Sequence, residues 1–195
     1  MSATDVLRII EEVWREIPYP GEERLIPRPK QPKGACRDEH DYVADFFAGK
    51  HWRDLDKAAI IQGYEGPPDA CLTFMAPEAY RYFLPAFMKM AVLEYEPGDT
   101  MCQAALSSLV PPSFDPKLYE LAKLPGMTDA TNPCSEANVK GRRIWWEARV
   151  AGFTPEQRGA IVVFLEHLNR THGRDYAYDS SGPAAALKHW KPGAG

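Results

Sequence analysis

Apolar residues recur every three or four positions along most of this chain, and that spacing predicts helices. Val6, Ile9, Ile10, Val13 and Ile17 predict a first helix over about 5–17, with Ser2 or Thr4 as its cap and Pro18 as its stop. "RDEHDYVADFFAGK" predicts a second, with acids in its first turn, Tyr42, Val43, Phe46 and Phe47 inward and Gly49 closing it. "HWRDLDKAAIIQGY" predicts a short helix or turn ending at Gly63. Further helices are predicted over about 100–109 with Asp99 as cap, and after Asp115 with Pro116 in the first position. Thr154, Pro155 and Gln157 spell a capping box for a long helix that ends before Gly173, and "PAAALKHW" predicts a short last one. Residues 142–150 fit two periods: Ile144, Trp146, Ala148 and Val150 alternate as in a strand, and the helical phase fits nearly as well.

The stretch "LTFMAPEAYRYFLPAFMKM" carries the strongest helical pattern and an internal proline. Ala76 precedes Pro77 and is pushed out of the helical region, so the helix should start at Pro77. Tyr80, Phe83, Leu84, Phe87, Met90 and Ala91 share one side, while Glu78, Arg81, Pro85, Lys89 and Val92 share the other. On that phase Pro85 faces water and solvent satisfies the Arg81 carbonyl that it orphans. An interior proline costs about 3 kcal/mol. Each large side chain on the apolar side returns roughly 1.5 to 3 kcal/mol on burial, so the helix should survive with a kink.

Length and composition narrow the class. A chain of 195 residues, 45% hydrophobic and 26% charged, predicts one domain over 1–195 with a mainly α, compact helical fold, a Pro-kinked central helix and at most a minor β element. The 18 prolines punctuate it. Residues 17–33 predict a Pro-rich surface loop, 125–140 a second loop and 191–195 a frayed tail. Acids and bases threaded through the first helix exclude a signal peptide, and the longest apolar run, "AIVVFL", excludes a membrane span, which places the chain in the cytoplasm. Cys36, Cys71, Cys102 and Cys134 form no CxxC and read as reduced thiols.

Charge is uneven. Residues 1–100 hold 18 acids against 12 bases, and the remainder 9 against 11. The longest basic cluster is the pair Arg142 and Arg143, too little for a nucleic-acid footprint. An acidic half is better suited to a basic protein partner. Candidate partner-binding residues are Asp38, Glu39, Asp41 and Asp45, together with Trp145 and Trp146, two indoles flanked by Arg142, Arg143 and Arg149 in the composition of a binding hot spot.

Catalytic patterns are weak. Cys36 and His40, four apart beside Asp38, Glu39 and Asp41, could share one helical face, but a metal needs three or four ligands and no second motif supplies them. His51 beside Trp52 reads as a packing pair, and His167 and His172 lack an HExxH arrangement. There is no GxSxG and no phosphate-binding glycine loop. No cofactor is expected.

The block "LTFMAPEAYRYFLPAF" resembles the hallmark of a bacterial domain family of uncharacterised function. In that pattern a Trp-containing segment precedes the block and a "TPEQ…I…FL…L" helix follows it. The matching pieces here are "HWRDL", Leu72 to Phe87, and Thr154 to Leu168, covering about residues 50–170, with Ala76 where a Ser or Thr cap is expected. Members look like small cytoplasmic proteins, some of them immunity partners of polymorphic toxins of the Rhs or type VI kind. The resemblance thus implies a non-enzymatic immunity protein that binds a toxin domain and occludes its active site. A small metal-dependent hydrolase built on Cys36 and His40, and a housekeeping interaction module, are the alternatives.

Overall fold

Side-chain oxygens set most of the helix starts in the computed structural model, which describes residues 1–31, 36–68, 70–176 and 182–191. A capping box of Ser2 and Asp5 opens α1 (Ala3–Val13), and one of Asp38 and Asp41 opens α2 (Glu39–Phe47). Each box satisfies two amides that a helix start would otherwise leave without partners. Gly49, at φ +66°, lies just past the end of α2. Asp56 caps α3 (Lys57–Gly63). The central α4 (Pro77–Leu93) starts on Ala76, which offers no side-chain cap. Asp99 caps α5 (Thr100–Ser108), Asp115 caps α6 (Pro116–Leu121), and Ser135 caps α7 (Glu136–Ala151). The predicted box of Thr154 and Gln157 opens α8 (Pro155–His172), and Pro183 leads α9 (Pro183–Trp190).

Among the described residues there is no strand. Residues 142–150 lie within α7, where Val139, Trp146 and Val150 recur at helical spacing and are buried. The expected loop over 125–140 is shorter than predicted, because the Ser135 cap and the buried Val139 draw 136–140 into α7. The remaining loop is tied down by two asparagines. Asn132 Oδ1 accepts from the Cys134 amide at 2.9 Å, and Asn138 Nδ2 donates to the Asn132 carbonyl at 2.8 Å. α1 is also shorter than its apolar period suggested, ending at Val13. Of the tail expected over 191–195, residues 192–195 lie outside the described residues, as do 32 and 33 of the Pro-rich loop.

The buried apolar side chains form one continuous cluster around α4, which packs on α1, α5, α7 and α8. Eleven of the 17 residues of α4 are buried, more than a single helix face supplies. This corrects the expected wet stripe. Pro85 is buried, and the Arg81 carbonyl it orphans accepts a hydrogen bond from Nε1 of Trp14, the residue that follows α1, at 3.0 Å, where solvent was expected. Glu11 of α1 bridges Lys89 of α4 and Arg53, and Arg81 Nη1 donates to the Arg149 carbonyl at 3.1 Å. At Arg81, Pro85 and Lys89 the stripe therefore seats α1 and α7. Pro85 leaves open an acceptor that an ordinary helix would have used internally, and the Trp14 indole occupies it.

Candidate partner-binding site

The acidic residues of the α2 region are committed inside the molecule. Arg28 of the Pro-rich segment reaches Asp38 Oδ1 at 2.5 Å and Asp41 Oδ2 at 3.4 Å. Asp41, 2% exposed, also accepts from the Gln31 amide at 3.0 Å and the Asp38 amide at 3.3 Å. Asp45 is bound by Lys30 and, at 2.6 Å, by Arg37. Burial opposes ionisation of Asp41, but the Gln31 and Asp38 amides and the Arg28 guanidinium outweigh it and hold its carboxyl below the usual carboxylate range. Burial likewise opposes Asp38, and Arg28 with the Asp41 and His40 amides brings it down. Glu39, half-buried, is the one member of the set with no ion pair among the described residues. These carboxylates act as a clasp: they hold residues 28–31 against α2.

Cys36 is exposed, while the His40 ring stands edge-on to Phe74 at 5.1 Å with Nδ1 3.6 Å from Asp38 Oδ1. Among the described residues no group of three or more His, Cys, Asp and Glu side chains could hold a metal ion.

The two indoles separate. Trp146 is 2% exposed, donates from Nε1 to the Ser108 carbonyl at 2.9 Å, and meets the His189 ring edge-on at 4.6 Å. It is a core residue. Arg149, expected as a flanking surface cation, is buried as well: its guanidinium lies 4.6 Å over the Tyr80 ring and Nη1 donates to the Leu72 carbonyl at 2.9 Å. Among the described residues its Nε has no hydrogen-bond partner, and burial disfavours its charge.

Trp145, half-buried, lines a groove of about 840 Å³ between α7, the start of α4 and the Pro-rich segment. Its apolar surface comes from Ile26, Pro27, Pro29, Ala76, Pro77 and Trp145. The segment forms a 3-10 turn at Glu22–Arg24 and bends over 25–28, where Pro27 and Pro29 stiffen it. Leu25 and Ile26 plug it into the core, and the Leu25 carbonyl accepts from the Ala76 amide at 2.9 Å, which sets the segment beside the α4 start. At its far end the clasp holds it. The groove is thus walled by a strap fixed at both ends.

Its charges follow from the same contacts. Of the three bases lining it, Arg28 and Lys30 are taken by the clasp, and Arg24 pairs with Glu23 at 3.4 Å. Among the described residues Glu78 pairs with Arg81 at 3.7 Å and Glu22 has no ion pair. The uncompensated charge on the rim is therefore the Glu22 carboxylate, a negative one. The sequence contains the strap's prolines and the Leu25–Ile26 plug but no spacing that brings residues 22–30 to Trp145, so the groove was not predicted.

Among the described residues, no helix is long and apolar enough to cross a membrane. No curated protein and no solved structure matches the chain significantly. A family model does match, from residue 4 to residue 193, well beyond the stretch of about 50–170 that carries the block resemblance. With the α4 block, the α8 capping box and both termini of the fold inside that match, the chain belongs to the family of unknown function DUF6714.

Proposed function

We propose that the protein is a non-enzymatic cytoplasmic binding protein that neutralises a cognate toxin domain, and that it seats a segment of that partner in the groove at Trp145. The groove is the observation that carries this reading. A half-exposed indole facing prolines and an isoleucine offers apolar contact at small entropic cost, because both walls are already held. The negative rim favours a basic segment, as found in the substrate cleft of an enzyme that acts on a polyanion. Occlusion of such a cleft needs no chemistry from this chain. Asp38, Asp41 and Asp45 support the site by holding its wall, while Glu39 is free to meet a partner directly. Neutralisation of a toxin rests on the family resemblance, and the groove gives that resemblance a surface.

The test is co-expression with a candidate toxin domain that acts on a polyanion, followed by titration of the purified pair. Trp145→Ala is expected to weaken the complex by about 2 kcal/mol, roughly thirtyfold in Kd, and to restore killing. Folding should be unchanged. Failure of the wild-type protein to bind or protect would remove the toxin reading, and an unaltered affinity in Trp145→Ala would remove the groove from it. The hydrolase alternative draws on Cys36 and His40, which gain no third ligand among the described residues.

A further inference from the structure

Outside the groove lining, four large apolar side chains stand in water within eleven residues: Phe114 is 39% exposed, Leu118 52%, Leu121 80% and Leu124 64%. α6, which carries two of them, is six residues long and buries none. A helix this short does not persist on propensity, since its nucleation is unfavourable and packing normally holds it. Its Asp115 cap with Pro116 in the first position contributes about 1 kcal/mol. Tyr119 ties the helix to the loop before α7, donating to Asp129 and accepting from Asn132 Nδ2 at 3.4 Å, but its leucines are left with no surface laid against them.

The patch extends onto α7. Phe114 and Tyr119 face Ala137 and Lys140 across a cleft of about 520 Å³. Ile144, 60% exposed, follows Lys140 by one helical turn on the same stripe.

We propose that Phe114, Leu118, Leu121, Leu124 and Ile144 form the contact between two copies of this chain, related by a two-fold axis. Charge selects the occupant. Residues 113–147 contain five acids and five bases, so the net charge of −4 resides entirely in the rest of the molecule. Two copies approaching by this face meet without the repulsion that acidic faces impose. Lys117, Glu120 and Lys123 alternate in sign every three residues. With the two-fold axis perpendicular to α6 the paired helices run antiparallel, and a register centred between Lys117 and Glu120 brings Glu120 of each copy, already paired with its own Lys123 at 2.8 Å, beside Lys117 of the other. An isologous contact of this kind is self-complementary, and a partner of single charge sign would leave part of the row unmatched.

Sedimentation velocity of the full chain across micromolar concentrations tests this. The expected wild-type species has twice the 21.9 kDa chain mass. Leu121→Lys should sediment as a monomer at the same concentrations with an unchanged far-UV circular dichroism spectrum, because Leu121 is too exposed for the fold to depend on it. Trp145→Ala should remain dimeric, which separates this contact from the groove. Glu120→Lys should weaken self-association, and mixing it with Lys117→Glu should restore a mixed dimer. A wild-type monomer throughout would overturn the proposal, including one that pairs through this face only with a different protein. So would a Leu121→Lys dimer, or a dimer lost in Trp145→Ala.

Discussion

Trp14→Ala is expected to lower the unfolding free energy by about 3–5 kcal/mol, a large part of what a domain of this size has. Two losses combine. The side chain is fully buried, with its ring edge-on to Phe153 at 6.4 Å, so truncation leaves a cavity between α1, α4 and the turn before α8. The Arg81 carbonyl also loses the donor that replaced the amide missing at Pro85. Trp14→Phe isolates the second loss: it keeps most of the volume, removes the N–H, and should cost about 1–3 kcal/mol. Pro85→Ala then provides the decisive control. It returns an amide to position 85, which can bond the Arg81 carbonyl within the helix. In that background Trp14→Phe should cost less, by about 1 kcal/mol. Urea denaturation of the four proteins yields the coupling. Equal costs in the two backgrounds would show that the indole and the proline are unrelated.

Local chemistry was legible, and long-range pairing was not. Asp99, Asp115 and the Thr154–Gln157 box lie next to the helices they start, and the structure places them as expected. The opposite face of α4 was misread because Arg81 and Lys89 are solvent-type residues, and their partners, the Arg149 carbonyl and Glu11, lie 68 and 78 residues away. No period reports such a pair. The candidate site failed in a similar way. The acids from Asp38 to Asp45 look like an open surface until Arg28 and Lys30 return from a proline-rich stretch whose path no periodicity fixes. Trp146 is instructive in another way. A strand period and a helical period both put Trp146 on the side of Val150, yet it was expected at a partner surface with Trp145, and the structure buries it. Only the helical phase separates it from Ile144, which is 60% exposed, and leaves Trp145 at the groove.

Asp41→Ala should cost about 2–3 kcal/mol, since it removes a carboxylate acceptor from two amides and the Arg28 guanidinium. The effect has a pH signature whose sign follows from the folded-state shifts. Asp38 and Asp41 titrate below their ordinary value in the fold, so their stabilisation is complete above the unfolded value. It is lost as the pH falls below about 4 and through the lowered folded values. Wild-type stability should therefore fall steeply on acidification, and the variant, lacking one of the two groups, should fall less steeply. An identical slope would show that Asp41 bears no part of the clasp. Partner binding supplies an independent readout. Asp41 does not line the groove, yet it anchors Gln31 at the end of the strap that forms one wall. Its loss should weaken the complex and the fold together, whereas Trp145→Ala should weaken the complex alone. Stability and affinity that decline in step for one variant and separate for the other are what a groove walled by a clasped strap requires.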